Sequence, residues 1–442
     1  MEHTGVDGTP GHDRERRLRR ELGLREAVAL GIGGTVGGGI YVLVGAAAGR
    51  AGPAALLAFA LAFLAALLIA LPYAELACRY PLAGGGYAFA RAVLGPRWGF
   101  LMGWGYWGAY VFVSGYVTLG FGGYLAAVTG VPPVVGALGL VAACLGLNLL
   151  GVRVSGRAQA VVVGVALLGL AGFALWGLPS VQAARFEPFL PHGPQSVLAA
   201  SLLAFLAFGG FDMVAAAGEE IDRPERNLPR AILLTLACVL GLYLLVCFVA
   251  VGVLPGETLG ASSASLADAA DRFGGAGARR LVVLTALLTT AATANAVLVV
   301  TSRIAFAMAR DRLLPHALAA VGERTATPGA SLVANALLLG LVALTGSVAF
   351  AAAAGGFLYV AHFVPPLAAL VVLRRRGQGT PAFATPLPGA VLPMAFAACA
   401  VLLAGSGVTG AAGGLGWLAA GLACHRLWGS LSRAGPPAWP PA

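Results

Sequence analysis

Charge is scarce in this sequence. Only 10% of its 442 residues are Asp, Glu, Lys or Arg, whereas soluble domains carry about 25%. So few ionisable groups cannot coat a chain of this length for water, which excludes ordinary cytosolic enzymes, disordered scaffolds and secreted disulfide domains. Lysine is absent altogether: the 28 basic residues are all arginine, and the formal net charge is +10. The arginines form short clusters between long uncharged runs and no single patch, so nucleic acid is not an expected partner. The six cysteines (Cys78, Cys144, Cys238, Cys247, Cys399 and Cys424) have apolar surroundings, no CxxC pair and no histidine at metal-ligand spacing. They read as small buried hydrophobes. The histidines are dispersed over His3, His12, His192, His316, His362 and His425, so no metal or nucleophile cluster suggests an enzyme, and no phosphate-binding loop suggests ATP drive. No cofactor is expected.

What the chain has instead is long apolar runs: 59% of its residues are hydrophobic and the mean hydropathy is +0.86. A bilayer core about 30 Å thick needs roughly 20 helical residues. Ala27–Gly49, Ala51–Ala74, Ala158–Ala184, Pro188–Phe211, Ala231–Gly256 and Leu281–Ser302 are charge-free and hold one span each. Trp98–Val152, Thr325–Leu373 and Gly377–His425 hold two each, with divisions expected at Gly130–Pro133, Gly346–Gly356 and Gly405–Gly416. The expected fold is an all-α polytopic membrane protein with 12 transmembrane helices. With the N-terminus inside, the outer segments carry only Arg50, Arg185, Arg272, Arg279 and Arg280, leaving 23 of the 28 arginines cytoplasmic. An even number of spans then places both termini in the cytoplasm. The first apolar run is 23 residues long, beyond the ~7–15 of a signal-peptide core, and another span follows at once, so it is read as a span and not as a cleaved leader.

Glycine is crowded where a continuous helix disfavours it. Six glycines fall between Gly31 and Gly39, each costing a helix about 1 kcal/mol relative to alanine. The helix is expected to open around Thr35–Gly38. Unpaired backbone cannot face lipid, so the opened stretch must be wrapped by protein or line a cavity; close packing through small residues is the alternative. The sixth span carries a similar interruption, Ala207-Phe-Gly-Gly-Phe-Asp212. Paired interruptions in two halves point to a transporter built as an inverted repeat, here five spans plus five with discontinuous helices one and six. The expected division is a tail over 1–22, a first repeat over 23–184, a second over 185–376, two further spans over 377–428 and a tail over 429–442.

An opened helix offers C=O groups at the end of its first half and N–H groups at the start of its second. The N–H end favours an anion and the C=O end a cation, and an α-amino acid carries both charges. Thr35, Val36, Gly37, Gly38 and Gly39 from one break, with Ala207, Phe208, Gly209, Gly210 and Phe211 from the other, are the candidate substrate-binding residues. The Gly37–Gly39 amides would hold a carboxylate, and carbonyls near Thr35 and Ala207–Gly209 an ammonium. Phe208 and Phe211 would border the side-chain pocket or gate it, with ordinary packing as the alternative for each ring. Gly, Ala, Val and Phe at the breaks favour a small neutral substrate.

Several blocks then resemble the amino acid–polyamine–organocation transporters. They are Leu22-Gly-Leu-Arg-Glu-Ala27 with Gly37-Gly-Gly-Ile-Tyr-Val42, Ala74-Glu-Leu-Ala-Cys-Arg-Tyr-Pro81 with Gly84-Gly-Gly-Tyr87, and Phe208-Gly-Gly-Phe-Asp212. Glu219-Glu-Ile-Asp-Arg-Pro224, Asn227-Leu-Pro-Arg230 and Ala307-Met-Ala-Arg-Asp311 follow in family order. The resemblance implies a twelve-span fold on two five-helix inverted repeats, moving an amino acid across the cytoplasmic membrane by exchange or secondary active transport with alternating access. A transporter-like sensor, or a carrier of another amine, is the alternative. One departure matters: many proton-coupled members carry a lysine in the fifth span, and the matching position here is Ala166. Coupling through that group is excluded, leaving exchange, facilitated diffusion, a sodium ion or another titrating group.

Few other polar residues fall in the spans. Asp212 reads as an N-cap of the second half of span six or as a titrating carboxylate near the cavity. Glu219 and Glu220, with Arg25 or Arg303, are a candidate inner gate or a solvated charged turn. Glu75 is expected to pair with Arg79 or a neighbouring loop, and His362 to be a core residue. Thr289, Thr290 and Thr293 offer hydroxyls to a sodium ion, though helix packing is the simpler reading. Trp104, Tyr106 and Trp107 suggest an interfacial belt; Tyr110, Ser114 and Tyr359 lie nearer the midplane, within reach of a ligand. Nothing in the sequence fixes an oligomeric state.

Overall fold

A computed structural model describes residues 22–80, 85–151, 156–216, 221–310, 313–322, 327–377 and 382–431. The described residues are almost wholly helical, apart from one isolated β-bridge between Leu22 and Ile221. In chain order the helices are α1 (Leu24–Thr35), α2 (Gly38–Ala51), α3 (Ala55–Arg79), α4 (Gly86–Leu94), α5 (Pro96–Thr129) and α6 (Pro133–Leu149). They continue with α7 (Gly156–Gly177), α8 (Pro194–Ala207), α9 (Phe211–Ala216), α10 (Pro224–Val253), α11 (Gly256–Ala261) and α12 (Ser265–Arg310). The last five are α13 (Gly329–Leu344), α14 (Val348–Ala361), α15 (Val364–Arg375), α16 (Pro388–Gly405) and α17 (Gly407–Leu431).

Local sequence explains many of these boundaries. Proline lies in the first turn of α5, α6, α8, α10, α15 and α16, where its missing N–H costs nothing. Gly130 closes α5 in the left-handed conformation at φ 74°. The divisions expected at Gly130–Pro133 and within Gly405–Gly416 fall there, between α5 and α6 and at Ser406 between α16 and α17. The division of the run 325–373 does not fall across Gly346–Gly356. It occupies Thr345–Ser347, and Gly355 and Gly356 lie inside α14, because they are needed there for close packing: a Cβ on Gly355 would meet the Phe112 Cβ at 3.1 Å, and one on Gly356 the Leu202 Cγ at 3.2 Å. A further interruption, at His362–Phe363 between α14 and α15, stands in a stretch the sequence reads as one span.

Among the described residues nine helical runs are long and apolar enough to cross a membrane, and α6 and α13 are shorter apolar helices. Leucines such as Leu168, Leu284, Leu337 and Leu341 are largely exposed on the outside, a surface that suits lipid and not water. α5 and α8 are the most enclosed of these runs and α16 and α17 the least. Two contacts frame the interior. Glu75, fully buried, bonds Arg79 at 3.0 Å, pairs with Arg374 and accepts from the Thr385 amide at 2.8 Å and hydroxyl at 2.7 Å, joining α3 to α15 and to the segment before α16. At the far end of α2, a Cβ on Gly49 would come within 2.6 Å of the Gly260 Cα, so α2 and α11 meet there backbone to backbone.

Trp104 and Trp107 do not form an interfacial belt. Both are buried, and Trp104 exchanges indole-to-carbonyl hydrogen bonds with Trp417 of α17 at 2.7 and 2.9 Å. An aromatic belt needs open interface, and α17 covers this face of α5.

Candidate functional site

The first break lies where glycine is densest. α1 ends at Thr35, Val36 leaves the helix with φ −80° and ψ 76°, Gly37 is extended, and α2 begins at Gly38. The Thr35 carbonyl released by the break accepts from the Gly37 amide at 2.9 Å and from the Tyr243 hydroxyl of α10 at 3.0 Å. The Gly38 amide donates to Thr293 Oγ1 of α12 at 3.0 Å. Thr289, Thr290 and Thr293 each donate to a carbonyl one turn back in α12, at 2.7, 2.6 and 2.8 Å. The hydroxyl of Thr35 is buried and, among the described residues, has no hydrogen-bond partner.

The second break is Phe208–Gly210, between α8 and α9. Gly210 has φ 119°, a conformation open to glycine and strained for other residues. A Cβ there would also run into the Gly34 carbonyl oxygen, and one on Gly34 would lie 3.3 Å from the Gly210 oxygen. The two interruptions therefore touch, glycine against glycine. Both open on one cavity of about 1000 Å³ lined by Thr35, Gly37, Gly39, Ala207 and Gly209, with Tyr110, Tyr116, Thr293 and Tyr359 around them. It extends along α1, α7 and α12 to Arg303, Thr327 and Pro328, and its described lining includes no Asp or Glu.

The ten residues chosen from the sequence thus divide. Five line the cavity. Val36, Gly38, Phe208, Gly210 and Phe211 do not. Gly38 faces protein: a Cβ on it would lie 2.8 Å from Thr290 Cγ2 and 3.1 Å from Val117 Cγ1. Phe208 is fully buried against Phe59, Phe63 and Tyr243, at ring-centroid distances of 6.3, 6.2 and 5.4 Å. Phe211 stacks on Phe363 at 5.4 Å and 7°. Neither ring borders the pocket; both hold the halves of span six to their neighbours. The aromatic groups that do reach the cavity come from α5 and α14. Tyr116 was invisible in the sequence because nothing local distinguishes it in a long aromatic helix.

Asp212 is neither a plain cap nor solvent-facing. It is 1% exposed, and its Oδ1 accepts from the Tyr359 hydroxyl at 2.6 Å and the Gly210 amide at 3.3 Å. Its Oδ2 accepts from the Tyr106 hydroxyl at 3.0 Å. Its carboxylate braces the second break from behind, since the Gly210 amide also donates to Tyr359 Oη at 3.0 Å. Of the inner-gate candidates, Glu219 and Glu220 lie outside the described residues; Arg25 and Arg303 are both exposed, and Arg303 stands at the cavity's edge. Beside them the Asp222 amide donates to the Leu22 carbonyl at 2.8 Å, tying the start of α1 to the segment before α10.

Comparison with known proteins shows the family. The model of the family described as amino acid permease matches residues 22–413. A branched-chain amino acid permease of Bacillus subtilis is 30% identical over 94% of this chain and 94% of its own length. An uncharacterised transporter of Mycobacterium tuberculosis is 32% identical over 94% of this chain and 93% of its own. Cationic amino acid transporter 4 of Homo sapiens is 34% identical over 75% of this chain and 56% of its own. Two touching helix breaks over one cavity, in a chain whose match to a single family runs almost end to end, belong to a member of the amino acid permease family, within the amino acid–polyamine–organocation superfamily.

Proposed function

We propose that the protein moves a small neutral amino acid across the cytoplasmic membrane by alternating access, as an exchanger or secondary active transporter. The observation that carries this reading is the contact of the two breaks above a shared cavity. Thr35 contributes an unpaired hydroxyl, Gly37 and Gly39 backbone, and Ala207 and Gly209 the opposite wall. A zwitterion held there meets backbone dipoles of both signs without needing a charged side chain. Among the described residues the lining holds Arg303 at its edge and no carboxylate, which suits a neutral side chain better than a cationic one; the name of the Bacillus subtilis relative, a branched-chain amino acid permease, fits the same choice.

Twelve spans are the reading of the fold that goes with it. The 42-residue run Gly38–Arg79 is twice the length one crossing needs and turns at Gly52–Ala54, and α6 and α13 supply the two short crossings. Spans one to five over 23–184 and six to ten over 185–376 would be the two repeats, with both termini cytoplasmic. The cavity would then face the cytoplasm, and the seam of α2 and α11 would close the outer side.

Purified protein in liposomes preloaded with leucine should take up labelled leucine by exchange, with isoleucine and valine competing and arginine not. Uptake of arginine with no neutral amino acid exchanged would overturn the neutral reading, and binding without flux would make the protein a sensor.

A further inference from the structure

We propose that Asp212 and His362 together bind one proton and pass it to and from the cavity through Tyr106 and Tyr110, so that substrate movement is coupled to proton movement. The proposal rests on the transport reading above and names its coupling ion.

His362 is fully buried in an aromatic box, its ring centroid 4.9 Å from those of both Tyr106 and Tyr359 and 3.9 Å from that of Phe363. Neither of its ring nitrogens has a hydrogen-bond partner among the described residues. Buried polar atoms are seldom left so. Its Nε2 lies 4.0 Å from Asp212 Oδ2, with both side chains at 0% exposure. Among the described residues, the elements around the pair bring no other charged group to ion-pair distance of it. α3 presents Tyr73, whose hydroxyl is held by the Gly86 amide at 2.8 Å. α4 presents Tyr87 and Arg91, bonded to each other at 2.9 Å. α5 presents Tyr106 and Tyr110, and α14 presents Tyr359. From α10 comes Tyr243, committed to the Thr35 carbonyl, while Arg25 and Glu26 of α1 are exposed. Among the described residues His362 is thus the one basic group at ion-pair distance from Asp212. A carboxylate beside a neutral imidazole leaves an uncompensated charge in this buried site; one added proton, on Oδ2, neutralises the pair.

The hydroxyls provide the route. Tyr106 Oη lies 3.0 Å from Asp212 Oδ2 and 3.4 Å from Tyr110 Oη, and its single hydrogen can serve only one of them. With Asp212 ionised, Tyr106 donates to Oδ2 and accepts from Tyr110. With Oδ2 protonated, the acid donates to Tyr106, which donates to Tyr110. Release breaks the Oδ2–H bond: that proton goes to the Tyr106 oxygen, the Tyr106 proton to Tyr110, and the Tyr110 proton to water or substrate in the cavity, which Tyr110 lines. Both tyrosines end with the hydrogen count they began with. Tyr359 lines the same cavity and bonds both Asp212 Oδ1 and the Gly210 amide, so a change in the break or its occupant alters the hold on the carboxylate.

In liposomes with the membrane potential clamped, an inward gradient of one pH unit should drive the wild-type protein to about tenfold leucine accumulation, the limit for one proton per substrate. Asp212→Asn and His362→Asn should show no accumulation above the external concentration, His362→Gln serving if the Asn variant does not fold. Leucine exchange without a gradient tests transport separately: exchange in the wild type with no response to the gradient overturns the coupling and leaves the transport reading standing. Infrared difference spectra between acid and alkaline buffer need no transport at all. They should contain a carboxylic-acid band that is absent from Asp212→Asn and whose midpoint moves in His362→Asn. No such band, or one that His362→Asn leaves in place, overturns the pair even if leucine is not the substrate.

Discussion

Three adjacent glycines, Gly37, Gly38 and Gly39, look interchangeable in the sequence and meet three different surroundings. A Cβ on Gly37 would press on Thr293 Oγ1 at 2.8 Å, one on Gly38 would press on Thr290 and Val117, and one on Gly39 would come to 3.2 Å from Tyr116 Oη and 3.7 Å from the Ala207 Cα, across the cavity. Gly39→Ala should therefore keep the fold and weaken substrate binding by on the order of tenfold, because accommodating one extra methyl costs about 1–3 kcal/mol. Calorimetry with leucine, alongside the thermal midpoint, reads both. Gly38→Val should act the other way round, lowering the thermal midpoint by wedging α2 from α12, and an unchanged midpoint would contradict the packing described. Glycine density located the break but could not say which residue faces inward, because that depends on the helix rotation fixed by α5 and α12.

At the scale of elements, the interruptions in spans one and six were legible because consecutive glycines have little else to do in an apolar helix. The same cue misled at Gly355 and Gly356, where missing side chains admit Phe112 and Leu202 and the helix continues. The break at His362–Phe363 had a weaker signal in Pro365 and Pro366, which occupy the first turn of α15. Two phenylalanines flanking a break suggested a pocket wall, but sequence spacing carries no rotamer, and Phe208 turns into the cluster of Phe59, Phe63 and Tyr243. Phe208→Ala should cost about 3–5 kcal/mol of stability, read by denaturant unfolding in detergent, while the rank order of competing substrates in exchange stays as in the wild type. A changed rank order would return the ring to the pocket.

For the whole molecule, scarcity of charge settled the class of protein and the arginine clusters its expected orientation, whereas the Asp212–His362 pair brings together positions 150 residues apart and could not be read from either neighbourhood. Orientation has a direct check. In a background without native cysteines, a cysteine at Leu190, exposed between α7 and α8, should react with an impermeant maleimide on intact cells; one at Arg376, beyond α15, should react only after permeabilisation. The reverse pattern would invert the topology. The meeting of Gly49 with Gly260 has its own consequence. There the bare peptide chains of α2 and α11 lie flat against each other, with no room between them for a side chain. Any bulky substituent placed at Gly49 or Gly260 would act as a wedge and force the two helices apart.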